Sequence, residues 1–163
     1  MLPPLKRRNM NDHIKVIAAD RIDEEITDAI KRLVLQLSAT AVIPDAKALN
    51  NIIASPCTTL LLARDQGNEG YIVGTLTLAI FRIPTGIRAW IEDVIVDESA
   101  RGKGVGEALS REALRIAAAH GARTIELTSR SSREAANRLY RRLGFQPRDT
   151  NVYRYLADPE KSP

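Results

Sequence analysis

The stretch Trp90-Ile91-Glu92-Asp93-Val94-Ile95-Val96-Asp97-Glu98-Ser99-Ala100-Arg101-Gly102-Lys103-Gly104-Val105-Gly106 decides what the rest of the chain can be. Its first seven residues are β-branched and aromatic enough for a strand. A loop of three alternate glycines follows and opens a helix. Glycines carry no Cβ, so backbone N–H groups can close on phosphate oxygens without clash. The helix N-terminus adds unpaired N–H groups and the positive end of its dipole. Arg101 and Lys103 bring formal positive charge to the same loop. Together these parts make a pyrophosphate cradle, whereas a turn that only starts a helix has no use for two cations.

Two common phosphate loops do not fit. A Walker loop ends in Gly-Lys-Ser/Thr, but Lys103 is followed by Gly104-Val105, which speaks against ATP or GTP hydrolysis. The dinucleotide fingerprint spaces its glycines G-x-G-x-x-G, and these run G-x-G-x-G; Glu126 stands mid-strand rather than at a strand end. Toward the N-terminus, residues 13–18 (HIKVIA) predict a short strand. Ile22, Ile26, Ile30, Leu33, Val34 and Leu37 recur at helical spacing behind Asp20 or Asp23 as cap. Pro44-Asp45 opens a shorter helix that runs to about Ala54. Residues 58–64 and 71–81 are β-rich around the hairpin chemistry of Asp65-Gln66-Gly67-Asn68-Glu69-Gly70, and Pro84-Thr85-Gly86 breaks the chain before a strand at 89–96. Two antiparallel hairpins thus precede the loop, where a dinucleotide-binding domain would begin with it.

Toward the C-terminus, Val105, Ala108, Leu109, Ala113, Ile116 and Ala117 mark one face of a helix, ended by His120-Gly121. Residues 124–128 predict a strand. Ser131 and Glu134 fit a capping box for a further helix, which Gly144 closes. Residues 152–156 predict a last strand, with one more near Gln146. The order predicts a mixed α/β (α+β) fold, a mostly antiparallel sheet of about six to seven strands with about four helices, and not the strict alternation of a doubly wound fold.

Arg101-Gly102-Lys103-Gly104-Val105-Gly106 resembles the Arg/Gln-x-x-Gly-x-Gly/Ala motif of the GNAT superfamily of acetyl-coenzyme A-dependent N-acetyltransferases. Asn137-Arg138-Leu139-Tyr140-Arg141-Arg142-Leu143-Gly144-Phe145 is similar to that family's N-x-x-x-Y-x-x-x-G-F, in the same order and inside the same predicted frame. The resemblance covers residues 90–155 by motif and 13–89 by topology alone. It implies a GNAT-like acyl-coenzyme A N-acyltransferase fold with a splayed sheet, acetyl-coenzyme A as cosubstrate, an amine acceptor and no metal. It further implies that Arg101, Gly102, Lys103, Gly104, Val105 and Gly106 bind the coenzyme pyrophosphate. The backbone of Val94, Ile95 and Val96 would pair with the pantetheine arm as with an added strand. Asn137 would bond the arm or the phosphates, and Tyr140 would place its phenol near the sulfur.

The chemistry of acyl transfer asks for the same residue types. It needs a neutral amine, a polarised thioester carbonyl and a protonated leaving sulfur. Tyr140, with an ordinary pKa of about 10, is protonated at neutral pH and can donate to a thiolate. A strand N–H, that of Val94 in the first place, can bond the thioester oxygen. Glu92 and Asp93 are adjacent acids inside a hydrophobic strand, where carboxylates are unfavourable unless employed. Alternation predicts that one of them faces the acceptor and the other does not. Either can take the ammonium proton or simply bind a cationic acceptor, and water is the remaining base. The Glu-Asp pair also resembles the strand of glucosamine-6-phosphate N-acetyltransferases, though a dipeptide is too short to assign a substrate. Against these roles stand plainer ones: Tyr140 packed beside Leu139 and Leu143, and the acids on a solvated strand face. Arg130 or Arg133 are candidates for the coenzyme 3′-phosphate, Trp90 for the acceptor site or the core. Cys57 has no matched histidine, and His120 suits a helix C-terminus.

Composition bounds the remainder. With 163 residues, 44% hydrophobic and 27% charged, the chain can fill one core, read as a single N-acetyltransferase domain at 13–157 between a flexible segment at 1–12 and a flexible tail at 158–163. One cysteine and two distant histidines leave no intrachain disulfide and make a metal site improbable. No apolar run reaches the length of a membrane span, and the basic N-terminus has no signal-peptide pattern, so the expected location is cytoplasmic. Up to Asp97 there are 11 Lys+Arg against 12 Asp+Glu, and from Glu98 onward 13 against 8. That basic half suits an anionic ligand. With aromatics at 4% and no base-reading helix, nucleic acid is the weaker partner. The expected function is acetyl transfer to a primary amine in a ternary complex, the alternative being a non-catalytic acyl-coenzyme A-binding module. A two-fold homodimer is the default assembly.

Overall fold

Leu60, Leu61, Leu62 and Ala63 are all buried, although successive strand side chains point to opposite faces. Such a strand must be covered on both sides, and the computed structural model, which describes residues 13–38 and 40–157, shows how. Strands β1 (Ile14–Ala18), β2 (Thr58–Asp65), β3 (Tyr71–Ile83), β4 (Gly86–Val96) and β5 (Thr124–Leu127) form one sheet in the order β1-β2-β3-β4-β5. The first four pair antiparallel, and β5 joins β4 in parallel. Leu60 and Leu62 meet helices α1 (Glu24–Leu37) and α2 (Ala46–Ala54) through Ile26, Ile30, Leu33 and Leu49. Leu61 and Ala63 point the other way, to α3 (Val105–Ala119) through Val105, Leu109, Ala113 and Ala117. Each of these larger apolar side chains contributes about 1.5–3 kcal/mol on leaving water, so the two layers hold the sheet from both faces.

Local sequence explains the helix starts. The Asp23 carboxylate accepts from the Ile26 N–H at 2.9 Å, and that of Asp45 from the Ala48 N–H at 2.7 Å. Each closes one orphan donor of a first turn. Helix α3 ends as expected at His120 with Gly121 at φ 77, and α4 (Glu134–Arg142) is followed by Gly144 at φ 95.

Three expectations need correction. Among the described residues the sheet has five strands, not six to seven, while the helices number four. Neither Gln146 nor residues 152–156 join a ladder, and Val152, Tyr153, Tyr155 and Leu156 are 73%, 88%, 90% and 79% exposed. Alternation would set Tyr153 and Tyr155 on one face and Val152, Arg154 and Leu156 on the other, so apolar side chains fall on both faces and a strand here would need cover on each. The capping box is also absent: α4 starts at Glu134, and its cap residue Arg133 makes no side-chain bond. The Asn137 amide closes that loop instead, donating to the Arg130 carbonyl at 2.9 Å. The segments 1–12 and 158–163 lie outside the described residues. No described helix is long and apolar enough to cross a membrane.

Candidate active site

Strand β4 changes character along its length. From Arg88 to Ile91 it is paired on both sides, with β3 and with Thr124 to Leu127 of β5. The parallel ladder stops at Ile91↔Leu127, and beyond it β4 has only β3 as a strand neighbour among the described residues. On the β3 side the register slips: Thr77 faces Glu92 while Thr75 faces Ile95, so β4 spends three steps where β3 spends two. The extra residue is a bulge at Asp93, whose φ of 49 is left-handed. A non-glycine residue held there costs on the order of 1 kcal/mol, and such strain collects at functional sites.

The bulge overturns the expected alternation of the two acids. Glu92 and Asp93 are both exposed, and both line one cavity of about 100 Å³ where β4 and β5 part. The other walls are Ile91 and Val94 of β4, Leu127 and Thr128 of β5 and the loop after it, Leu37 of α1, Arg133 and Tyr140. Ile95 turns its side chain into the α1 core and Val96 packs toward α3, which leaves backbone as what this half of β4 offers the opening.

Glu92 is not loose. The Trp90 indole Nε1 donates to its Oε1 at 2.6 Å, as two residues apart on one strand face permit. That spacing was visible in the sequence, but the bond needs both rotamers. Tyr140 is 8% exposed and meets Phe145 edge to face, with centroids 5.8 Å apart. Burial pushes its phenol above the ordinary value of 10.0, against the opposing charge of Arg133. The site thus sets two carboxylates on one lip and a neutral hydroxyl on the other.

The cradle divides by glycine. Gly102 and Gly104 hold φ 77 and 81, and Gly104 caps α3 without a side-chain bond, so both supply backbone conformation. Gly106 serves packing: a Cβ there would stand 3.3 Å from Leu139 of α4. Arg101 and Lys103 are exposed, with the Arg101 guanidinium 3.5 Å from Glu98. Val105 is buried, so only its backbone can face a ligand. Asn137 has its amide donors turned to the Arg130 and Ser131 carbonyls, leaving its Oδ1 as acceptor. A larger hollow, about 330 Å³, touches Gly102 and Lys103 and is otherwise walled by His13, Ile14, Asp65 and Gly67; the acids and Tyr140 do not reach it. Cys57 is exposed, and the His120 Nδ1 bonds the Ile116 carbonyl at 2.9 Å, a helix-end role. Sequence reasoning missed Leu37 and the Trp90 bond; for Leu37, the last residue of an amphipathic helix, no signal exists.

Solved structures share this fold. An aminoglycoside acetyltransferase from an uncultured soil metagenomic sample, in complex with trehalose, superposes with a TM-score of 0.77 at 19% identity, over 91% of this chain and 98% of its own. Glucosamine-6-phosphate N-acetyltransferase from Arabidopsis thaliana gives 0.72 at 18%, over 88% and 99%. AAC(6')-Iy in complex with the bisubstrate analogue CoA-S-monomethyl-acetylneamine gives 0.70 at 17%, over 90% and 100%. These identities are low and carry the fold alone. No curated protein sequence matches. The profile of the acetyltransferase (GNAT) family matches residues 30–145, from the middle of α1 through the glycine loop to the Phe145 that packs on Tyr140. A match over that much of the chain makes this protein a member of the GNAT acetyltransferase family.

Proposed function

We propose that this protein transfers an acetyl group from acetyl-coenzyme A directly to a primary amine within a ternary complex. The observation that carries the reading is the opening between β4 and β5, with Glu92 and Asp93 on one lip and the buried, neutral Tyr140 on the other. The pantetheine arm lies along the β5-free backbone of Val94, Ile95 and Val96. Arg101, Gly102, Lys103, Gly104, Val105 and Gly106 face the pyrophosphate, the glycines and Val105 through their backbone. The Oδ1 of Asn137 accepts from an amide of the arm.

The steps balance as follows. An acceptor ammonium gives one proton to the Glu92 or Asp93 carboxylate, directly or through water, and becomes a neutral amine. Its nitrogen attacks the thioester carbonyl, a C–N bond forms, and the oxyanion is held by the Val94 N–H. The C–S bond then breaks and the thiolate takes the Tyr140 proton; the new amide's extra proton passes through water to the Tyr140 phenolate, and the carboxylic acid releases its proton to solvent, which restores both groups. Holding both substrates in one cleft replaces a bimolecular encounter and supplies much of the rate. Two exposed carboxylates favour a cationic acceptor, and the Trp90 bond to Glu92 Oε1 leaves Oε2 for it.

The test is free-thiol release from acetyl-coenzyme A over a panel of aminoglycosides, glucosamine 6-phosphate, simple diamines and peptides with free N-termini. Release that depends on one of these amines, with the acetylated product seen by mass spectrometry, is the expected result. Coenzyme binding without release across the panel would make the protein a binding module of the same fold.

A further inference from the structure

Helix α1 reaches the root of the glycine loop with two polar side chains one turn apart. The Arg32 guanidinium donates to the Ile72 carbonyl at 2.7 Å, pairs with the Asp97 carboxylate and stacks on the Tyr71 ring, 4.6 Å from its centroid. Asp97 is the last residue before the loop and is 7% exposed. Its N–H donates to the Val73 carbonyl, and its Oδ1 accepts from both the N–H and the hydroxyl of Ser99, at 2.9 and 2.7 Å. One turn further along α1, the Gln36 Oε1 accepts from the Glu98 N–H at 2.9 Å. Two successive residues, Asp97 and Glu98, are therefore held by one helix, and Leu37, next to Gln36, walls the cleft that contains the acids.

The hold exceeds what docking α1 requires. Ile26, Ala29, Ile30 and Leu33 already bury that helix, and a partly buried ion pair is a poor source of stability compared with apolar packing. What it does supply is position. Residues Arg101 to Gly104 include two glycines at positive φ, the least restricted kind of backbone, and ordering such a segment around a ligand costs entropy. A root already held in place lowers that cost at the moment of binding.

We infer that Arg32 and Gln36 are positioning residues for coenzyme A, which fix Asp97 and Glu98 so that the loop meets the pyrophosphate already ordered. This rests on the function proposed above, and the experiment separates the two. Wild type, Arg32→Met, Arg32→Lys and Gln36→Leu are titrated with coenzyme A by calorimetry and with pantetheine, which has no pyrophosphate, by NMR. The expected result is at least a tenfold weaker Kd for coenzyme A in Arg32→Met, about threefold in Gln36→Leu and partial retention in Arg32→Lys, with pantetheine binding within twofold of wild type throughout. Equal losses for both ligands would reduce the two residues to a structural role, and unchanged coenzyme A affinity would overturn the inference outright. Should Arg32→Met fail to fold, Gln36→Leu keeps the Asp97 ion pair and decides alone. Wild type that binds no coenzyme A would instead overturn the functional reading, and it is measured first.

Discussion

Two stretches of this chain carry strand-like sequence and end differently. Residues 90–106 become half of β4, a bulge, a turn and the start of α3. Residues 152–156 are as rich in β-formers, yet they stand exposed and without a ladder. The first stretch has partners along most of its length: β3 beside it, α1 at the root of the loop through Arg32 and Gln36, α3 against the sheet. The second carries apolar side chains on both faces and, among the described residues, pairs with no strand. Strand propensity is a fit to a half-buried pleated surface, so it acts only where such a surface exists. The same contrast lies inside β4, whose first half is paired on both sides and whose second half, left open by β5, borders the candidate site.

The contrast is sharpest in the effects of substitution. At one extreme, Tyr140→Phe keeps the ring against Phe145 and removes only the phenolic proton. The acetyl-transfer step should fall by about 10²- to 10⁴-fold, with KM for acetyl-coenzyme A moving far less. Single-turnover transfer at saturating coenzyme reads this, and a wild-type rate would return Tyr140 to a packing role. Because burial raises the phenol's pKa, the unfolded chain ionises there first. The stability due to the neutral buried tyrosine is whole below its ordinary value of 10.0 and is lost as pH climbs from there toward the raised native value. Thermal unfolding across that window should show a loss that Tyr140→Phe lacks.

A smaller effect belongs to the acids. Glu92→Gln should lower kcat by about 10²-fold and erase the acidic limb of the pH–rate profile, with coenzyme affinity intact. A rise in the acceptor's KM alone would make Glu92 a binding group, and the same pair of measurements on Asp93→Asn decides which carboxylate takes the proton. Third in size is Gly104→Asp. It puts a carboxylate against the cradle at φ 81, and coenzyme affinity should weaken at least tenfold in a protein that still folds. Unchanged affinity by calorimetry would remove the loop from the coenzyme site.

The smallest effect is expected at the other end of the comparison. Tyr153→Ser and Tyr155→Ser lie on exposed, unpaired backbone and should shift stability by no more than about 0.5 kcal/mol. A loss well above that in chemical denaturation would mean that residues 152–156 pair with something in solution, and the contrast drawn above would fail.

Much of this was legible without coordinates. The helical period of Ile22 to Leu37, the Asp45 cap, the 65–70 turn and the glycine loop all depend on contacts within a few residues, and each expected element stands near its place. The motif spacing from Arg101 to Phe145 agrees with the family match over 30–145. The missing strands and the absent capping box fail for different reasons: residues 152–156 found no partner strand among the described residues, and α4 is capped at Arg133, two residues past Ser131, so the Ser131–Glu134 spacing no longer frames the helix start. In the loop before α4, the Asn137 amide donates to the Arg130 carbonyl, a different bond that ties the loop to the helix and leaves the first-turn N–H groups without a side-chain cap.

At the site the division runs through single residues. Sequence alone determined which groups are present: two acids in an apolar strand, three glycines with two cations, and a tyrosine at helical spacing from Asn137. It could not determine that Glu92 and Asp93 share one cavity, because strand alternation predicts the opposite and only the slip against Thr75 and Thr77 produces the bulge. It could not show that Gly106 serves packing on Leu139, or that Arg32, 65 positions before Asp97, holds the loop's root. Residue type and near spacing are properties of the chain; which side chains converge depends on sheet register and helix placement, and those are settled by burial and pairing summed over the whole molecule.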